Sequence, residues 1–154
     1  MLSPPKVFVS YPHDSSLHKK WVKDLAIYLR NNGVNIILDQ WDLSLGSDLA
    51  SFMDQGLGTS DRVLLILTDN YINKSNKGTG GVGYEKMITS LEILNDQTTS
   101  KFIPVVRDVC GESKLPIFLG ARLYIDLSKE DNQTEQRLEL LKEIHKAQEL
   151  KPPN

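Results

Sequence analysis

Asp61-Arg62-Val63-Leu64-Leu65-Ile66-Leu67-Thr68 decides the fold. Five consecutive aliphatic residues leave no polar side for either strand face, and a strand apolar on both faces has to be covered on both. The apolar run is continuous from Val63 to Leu67. It therefore predicts a central strand of a parallel sheet. Working outward, Lys6-Val7-Phe8-Val9-Ser10-Tyr11 follows a double proline and reads as a buried first strand. Asp14-Ser15-Ser16 can cap a helix whose stripe is Leu17, Trp21, Leu25 and Leu29, with Val22 and Ala26 beside it. That helix ends at Asn31-Asn32-Gly33. Val34–Leu38 is a second strand, Asp39–Ser47 a polar loop, and Asp48–Leu57 a short helix. Asp69–Gly83 reads as a long polar loop and Tyr84–Leu94 as a helix carrying Met87, Ile88 and Leu91 on one side.

Phe102–Val106 is a fourth strand, placed near an edge or a strand end by Pro104. Leu123–Leu127 is a fifth strand, and Glu130–Leu150 a last helix with Leu138, Leu141, Ile144 and His145 inward. Strands alternating with helices predict an α/β domain, a doubly wound, five-stranded parallel sheet in flavodoxin-like order. In such sheets ligands bind beyond the carboxyl ends of the strands. The loops there are Tyr11–Asp14, Asp39–Ser47 and Asp69–Gly83.

At 154 residues the chain fits one domain, spanning 1–150, and Lys151-Pro152-Pro153-Asn154 reads as the start of a linker to a further domain. A net charge of -2 with both signs interspersed gives no basic face, so nucleic acid is not expected as a partner. No apolar stretch is long enough for a membrane span, no leader is visible, and the single Cys110 permits no internal disulfide, so a cytoplasmic domain is expected.

Several chemistries find no home. Gly78-Thr79-Gly80-Gly81-Val82-Gly83 is followed by Tyr84-Glu85 where a phosphate-binding P-loop needs Lys and Ser or Thr. It also lies far from the first strand–helix turn that a dinucleotide fingerprint occupies. A phospho-receiver needs an acid pair at the end of the first strand, where Ser10-Tyr11 stands. His13, His18 and His145 lack ligand spacing, so no metal site is expected. Glu85, read alone, is a carboxylate favoured by the dipole in the first turn of a helix. Asp39 and Asp48 serve equally as caps.

Taken in order, these segments resemble a bacterial TIR (Toll/interleukin-1 receptor) domain of the TIR/SEFIR-like group. Val7-Phe8-Val9-Ser10-Tyr11 with Asp14-Ser15 looks like the first motif. Leu38-Asp39-Gln40-Trp41-Asp42-Leu43-Ser44-Leu45-Gly46-Ser47-Asp48-Leu49 looks like the second motif and its BB loop. Ser60–Thr68 looks like the third-strand motif, and Gly80-Gly81-Val82-Gly83-Tyr84-Glu85 like the stretch carrying the catalytic glutamate. The resemblance covers roughly residues 6 to 148.

It implies an NAD+ glycohydrolase effector that acts when clustered, in bacterial antiphage defence, releasing nicotinamide and ADP-ribose or a cyclic variant. NAD+ is then the substrate, and no cofactor is implied. Glu85 would be the catalytic carboxylate. Ser10, Tyr11, Asp39, Trp41, Ser44, Leu45, Gly46 and Tyr84 would contact the substrate. Some catalytic relatives carry Trp where Gly81 stands, so Trp41, Tyr84 or Tyr11 would supply the ring that stacks on nicotinamide. The resemblance also implies self-association through the BB loop and a STING-like or other cyclic-nucleotide sensor. Two other readings share these residues: a non-catalytic TIR–TIR scaffold, and a nucleoside-type glycosyl transferase.

Overall fold

The computed structural model describes residues 3–77, 101–109, 114–115 and 123–149. Its strands are β1 (Lys6–Ser10), β2 (Asn35–Ile37), β3 (Arg62–Thr68), β4 (Phe102–Asp108) and β5 (Ile125–Asp126). Its helices are α1 (Ser16–Asn31), α2 (Asp39–Asp42), α3 (Leu49–Thr59), α4 (Asp69–Lys77) and α5 (Gln133–Glu149). The strands form one sheet in the order β2-β1-β3-β4-β5, every pairing parallel. The doubly wound order expected from the sequence is therefore found.

β3 shows why. All seven of its residues are buried, and Val63 to Leu67 expose nothing. Successive side chains alternate between faces. Leu64 and Ile66 join Val7, Val9, Ile103 and Val105 under α1 (Val22, Leu25, Ala26, Leu29) and α5 (Leu140, Ile144). Val63, Leu65 and Leu67 join Phe8, Phe102 and Val106 beneath α3 (Leu57) and α4 (Tyr71, Ile72). Two core layers thus share one sheet. Pro104 pairs with Leu65 on one side, while β5 reaches only Val105 and Val106 on the other. The proline, with no N–H to donate, stands just beyond the end of that short edge strand.

Several sequence expectations need correction. Asp39–Ser47 is not all loop: Asp39–Asp42 makes one helical turn, its start tied by Asp42 accepting from the Leu38 N–H at 2.9 Å. Asp69–Gly83 is not a loop at its start. Thr68 Oγ1 accepts from the Tyr71 N–H at 3.2 Å, starting α4, and Tyr71 and Ile72 anchor that otherwise polar helix in the core. Leu17 is not inward, being 77% exposed, because His18 takes the sheet-facing position in the first turn of α1. Leu138 is also exposed, and Leu140 with Ile144 carries the contact of α5. The fifth strand shrinks to two residues, with Leu123 and Tyr124 exposed. The helix expected over Tyr84–Leu94, and Cys110, lie outside the described residues.

Candidate functional site

The carboxyl ends of β1, β2 and β3 gather the polar side chains. Two carboxylates bind the β1–α1 loop on either side. Asp14 accepts from Thr68 Oγ1 at 2.8 Å and from Asn70 Nδ2 at 2.6 Å, joining the loop to the end of β3 and the start of α4. Asp39, at the end of β2, accepts from the Tyr11 hydroxyl at 2.6 Å. Its other oxygen lies 2.8 Å from His13 Nε2. The Gln40 amide N–H donates to Asp39 at 2.8 Å, and the Gln40 side chain donates at 2.9 Å both to the Tyr11 hydroxyl and to the Lys19 carbonyl. Tyr11 and His13 rings pack with centroids 4.8 Å apart.

This network sets the local charges. Burial alone would push the Asp39 carboxyl up, but the hydrogen bonds from His13 and Tyr11, the charge of His13 and the Gln40 amide hold it below its usual value. Burial, then the hydrogen bond and charge of Asp39, pushes the Tyr11 phenol well above its ordinary range. Asp39 is thus an anion and Tyr11 a neutral donor throughout the physiological range.

Beside it lies a second cluster that the sequence did not announce. His18, 1% exposed, puts Nδ1 2.6 Å from Arg107 Nη1. A guanidinium can only donate, so Nδ1 accepts and the neutral ring carries its proton on Nε2. That Nε2 is buried and has no partner among the described residues. Trp21 stacks on the His18 ring at 6.4 Å and 9°, and lies beneath the Arg107 guanidinium at 5.2 Å. Burial, then the charge of Arg107, pushes the His18 imidazole below its usual value, with Asp14 opposing. Arg107 sits in β4, an apolar strand interrupted by one cation; that interruption is the signal that could have found it.

The structure brings Tyr11 and Asp39 together, with Ser10 buried at the end of β1 just before them. Trp41 is engaged elsewhere, its ring 5.2 Å beneath the Arg30 guanidinium of α1. Ser44, Leu45 and Gly46 form a separate projection. The Ser47 N–H donates to the Ser44 carbonyl at 3.0 Å and Gly46 has φ +88, the signature of a type II turn that requires glycine at its third position. Leu45 stands fully exposed at its tip. Asp48 caps α3 by accepting from the Ala50 N–H at 3.0 Å. Glu85 and Tyr84 lie outside the described residues. Among the described residues no helix is long and apolar enough to cross a membrane.

Comparison with known proteins fits this geometry. Over 54 residues the chain is 33% identical to the 2' cyclic ADP-D-ribose synthase BtTIR of Bacteroides thetaiotaomicron, which covers 35% of this chain. Over 62 residues it is 34% identical to a Brucella abortus (strain 2308) protein described as "Probable 2' cyclic ADP-D-ribose synthase TcpB", covering 40% of this chain. These matches span only 19% and 25% of the two relatives' own lengths. The crystal structure of a prokaryotic SEFIR domain superposes with a TM-score of 0.79 at 38% identity, covering 97% of this chain and 98% of that one. The TIR domain family model matches residues 7–141. With that match over most of its length, and the fold to go with it, the chain belongs to the TIR domain family.

Proposed function

We propose that this domain cleaves NAD+ at its nicotinamide–ribose bond, with Glu85 as the catalytic carboxylate. The observation that carries the reading is the partial similarity to two proteins named as cyclic ADP-ribose synthases. The chemistry suits the residues at hand. Nicotinamide is cationic in NAD+ and leaves neutral, so its departure needs no acid. The two carboxyl groups of an ordinary glycosidase can then reduce to one, which stabilises the oxocarbenium-like ribose. The Tyr11–Asp39 cluster stands at the end of the sheet where a parallel α/β domain takes its ligand.

A second reading is a TIR–TIR scaffold without catalysis. The fully exposed Leu45 on its turn favours it, because an apolar side chain presented at a loop tip suits a protein contact. One experiment separates the two. The chain is clustered on a multivalent carrier, incubated with NAD+, and assayed for nicotinamide beside its Glu85→Gln variant. Release that is lost in the variant supports cleavage. No release from clustered wild type leaves the scaffold as the function.

A further inference from the structure

We propose that His13 is the proton acceptor of this reaction and that Asp39 is its positioning residue; the inference rests on the NAD+-cleaving reading. The proton balance gives such a group a task. When the ribose C1–N bond breaks, its electron pair leaves with nicotinamide, which departs neutral. A C1–O bond then forms, to water or to a hydroxyl of the same dinucleotide. In either case the attacking O–H loses its proton, and the reaction yields one proton in excess. While the carboxylate stays anionic against the ribose cation, a second base beside it can take that proton as the C1–O bond forms.

The cluster at the strand ends contains one suitable group. Asp14 has both oxygens engaged, by Thr68 and Asn70. Asp39 has both engaged, by Tyr11 and the Gln40 amide on one and His13 on the other. The Tyr11 hydroxyl is committed as a donor to Asp39, and its phenol is held neutral. His18 is buried, accepts from Arg107 on Nδ1, and so carries its proton on Nε2, leaving no lone pair to offer.

His13 differs from all of these. Its Nε2 lies 2.8 Å from an ionised carboxylate oxygen, so in the neutral ring that nitrogen carries the proton. Nδ1 then holds a lone pair, and among the described residues nothing hydrogen-bonds to it. The side chain is 49% exposed, whereas that of Asp39 is 14% exposed, so a ligand can reach the imidazole while the carboxylate stays fixed behind it. The Tyr11 ring packed at 4.8 Å limits its rotation. On accepting a proton from the nucleophile, His13 becomes an imidazolium paired with Asp39, and then passes the proton to water. Among the described residues, the charged or titratable groups that face it are Asp39 and Tyr11, with His18 within electrostatic range.

The test uses the full chain, clustered, and four proteins: wild type, Glu85→Gln, His13→Gln and Asp39→Asn. Glutamine at 13 keeps a donor for Asp39 but cannot take a proton. The expected result is a fall in kcat of about 10²-fold for His13→Gln, the lower end of what positioned proton transfer contributes. KM for NAD+ should stay within about threefold, and the pH profile of kcat should differ from that of wild type, since a proton acceptor has been removed. Glu85→Gln should be inactive. Wild-type activity with an unchanged kcat and pH profile in His13→Gln overturns this inference alone. A rise confined to KM also overturns it, by making His13 a binding contact. No nicotinamide from wild type overturns it together with the NAD+ reading. An activity-independent check is the ¹⁵N spectrum of His13 in wild type, where the neutral ring should be protonated at Nε2. Asp39→Asn should mix the tautomers, and a proton fixed on Nδ1 in wild type refutes the proposal.

Discussion

Replacing His18 with asparagine should change how stability responds to mild acid. His18 is 1% exposed, its Nδ1 accepts from Arg107, and its buried Nε2 has no partner among the described residues. A second proton would have to displace the Arg107 contact and place a charge beside a guanidinium. The folded chain therefore holds this imidazole neutral, with its titration pushed below the ordinary value by burial and by Arg107. The unfolded chain protonates it near pH 6.5. Because the folded value is the lower one, the contribution is complete above about pH 6.5 and is lost as pH falls below it. If the folded state takes up no proton at this ring, the loss between pH 7.5 and 5.5 is about 1.4 kcal/mol, the value for a group that titrates near pH 6.5 only in the unfolded chain. Asparagine keeps an acceptor for Arg107 and removes the titration. The variant should be less stable than wild type at pH 7.5, through lost ring packing, and the gap should narrow by up to about 1.4 kcal/mol at pH 5.5. Urea unfolding followed by circular dichroism at the two pH values measures it. Asp39 and Asp126, both held below their usual values, lose their contributions only below about pH 4, outside the interval. A gap that stays constant refutes the account of His18.

Two other perturbations test the packing and the polar network. Gly56→Ala would place a Cβ 2.1 Å from Phe8 Cδ2 and 2.2 Å from Cε2, and Phe8 is 2% exposed with Phe52 against it at 5.6 Å. The ring has to move, and the expected cost is about 1–3 kcal/mol in chemical denaturation; an unchanged midpoint would show that α3 shifts freely over β1. Tyr11→Phe removes a donor to an ionised carboxylate and should cost about 1.5 kcal/mol at pH 7. Since that hydrogen bond helps hold the Asp39 carboxyl down, the difference should shrink below about pH 4 as the carboxyl is protonated. A difference independent of pH would mean that ring packing, not the hydroxyl, carries the effect.

How much of this could be read beforehand depends on how local its cause is. β3 was legible because five aliphatic residues in a row permit one environment, and α1 because its cap Ser15 and its terminal Gly33 stand where chain-local rules place them. α4 was not, since Asn70, Asn73, Lys74 and Ser75 read as loop, and only its tertiary anchors, Tyr71 and Ile72, hold it as helix. Leu17 was misplaced for a related reason. The four-residue spacing with Trp21, Leu25 and Leu29 put Leu17 on the sheet side, and hydrophobicity favours the leucine. The buried histidine wins because Arg107, 89 residues away, hydrogen-bonds it there. Tyr11 and Asp39 were picked out by resemblance alone, and the structure joins them in one hydrogen bond. The Asp14 contacts to Thr68 and Asn70, separated by 54 and 56 residues, carry no sequence signal at all.

Those long-range contacts bear on what the site can do. The β1–α1 loop would otherwise be free to vary between two strand ends. Asp14 fixes it to β3 and α4, and Asp39 fixes it to β2, so the loop that carries His13 is held from both sides. A group held in this way has already lost the conformational freedom that a ligand would otherwise have to remove on binding. The Leu45 turn is built in the opposite manner. The side chain at its tip is fully exposed, and a Cβ added at Gly46 would meet nothing within 4 Å. The Tyr11–His13–Asp39 cluster therefore suits a function that depends on fixed geometry, such as proton transfer. The turn suits one that tolerates adjustment, such as contact with a second copy of the chain. The two roles proposed for this domain need not compete for the same residues.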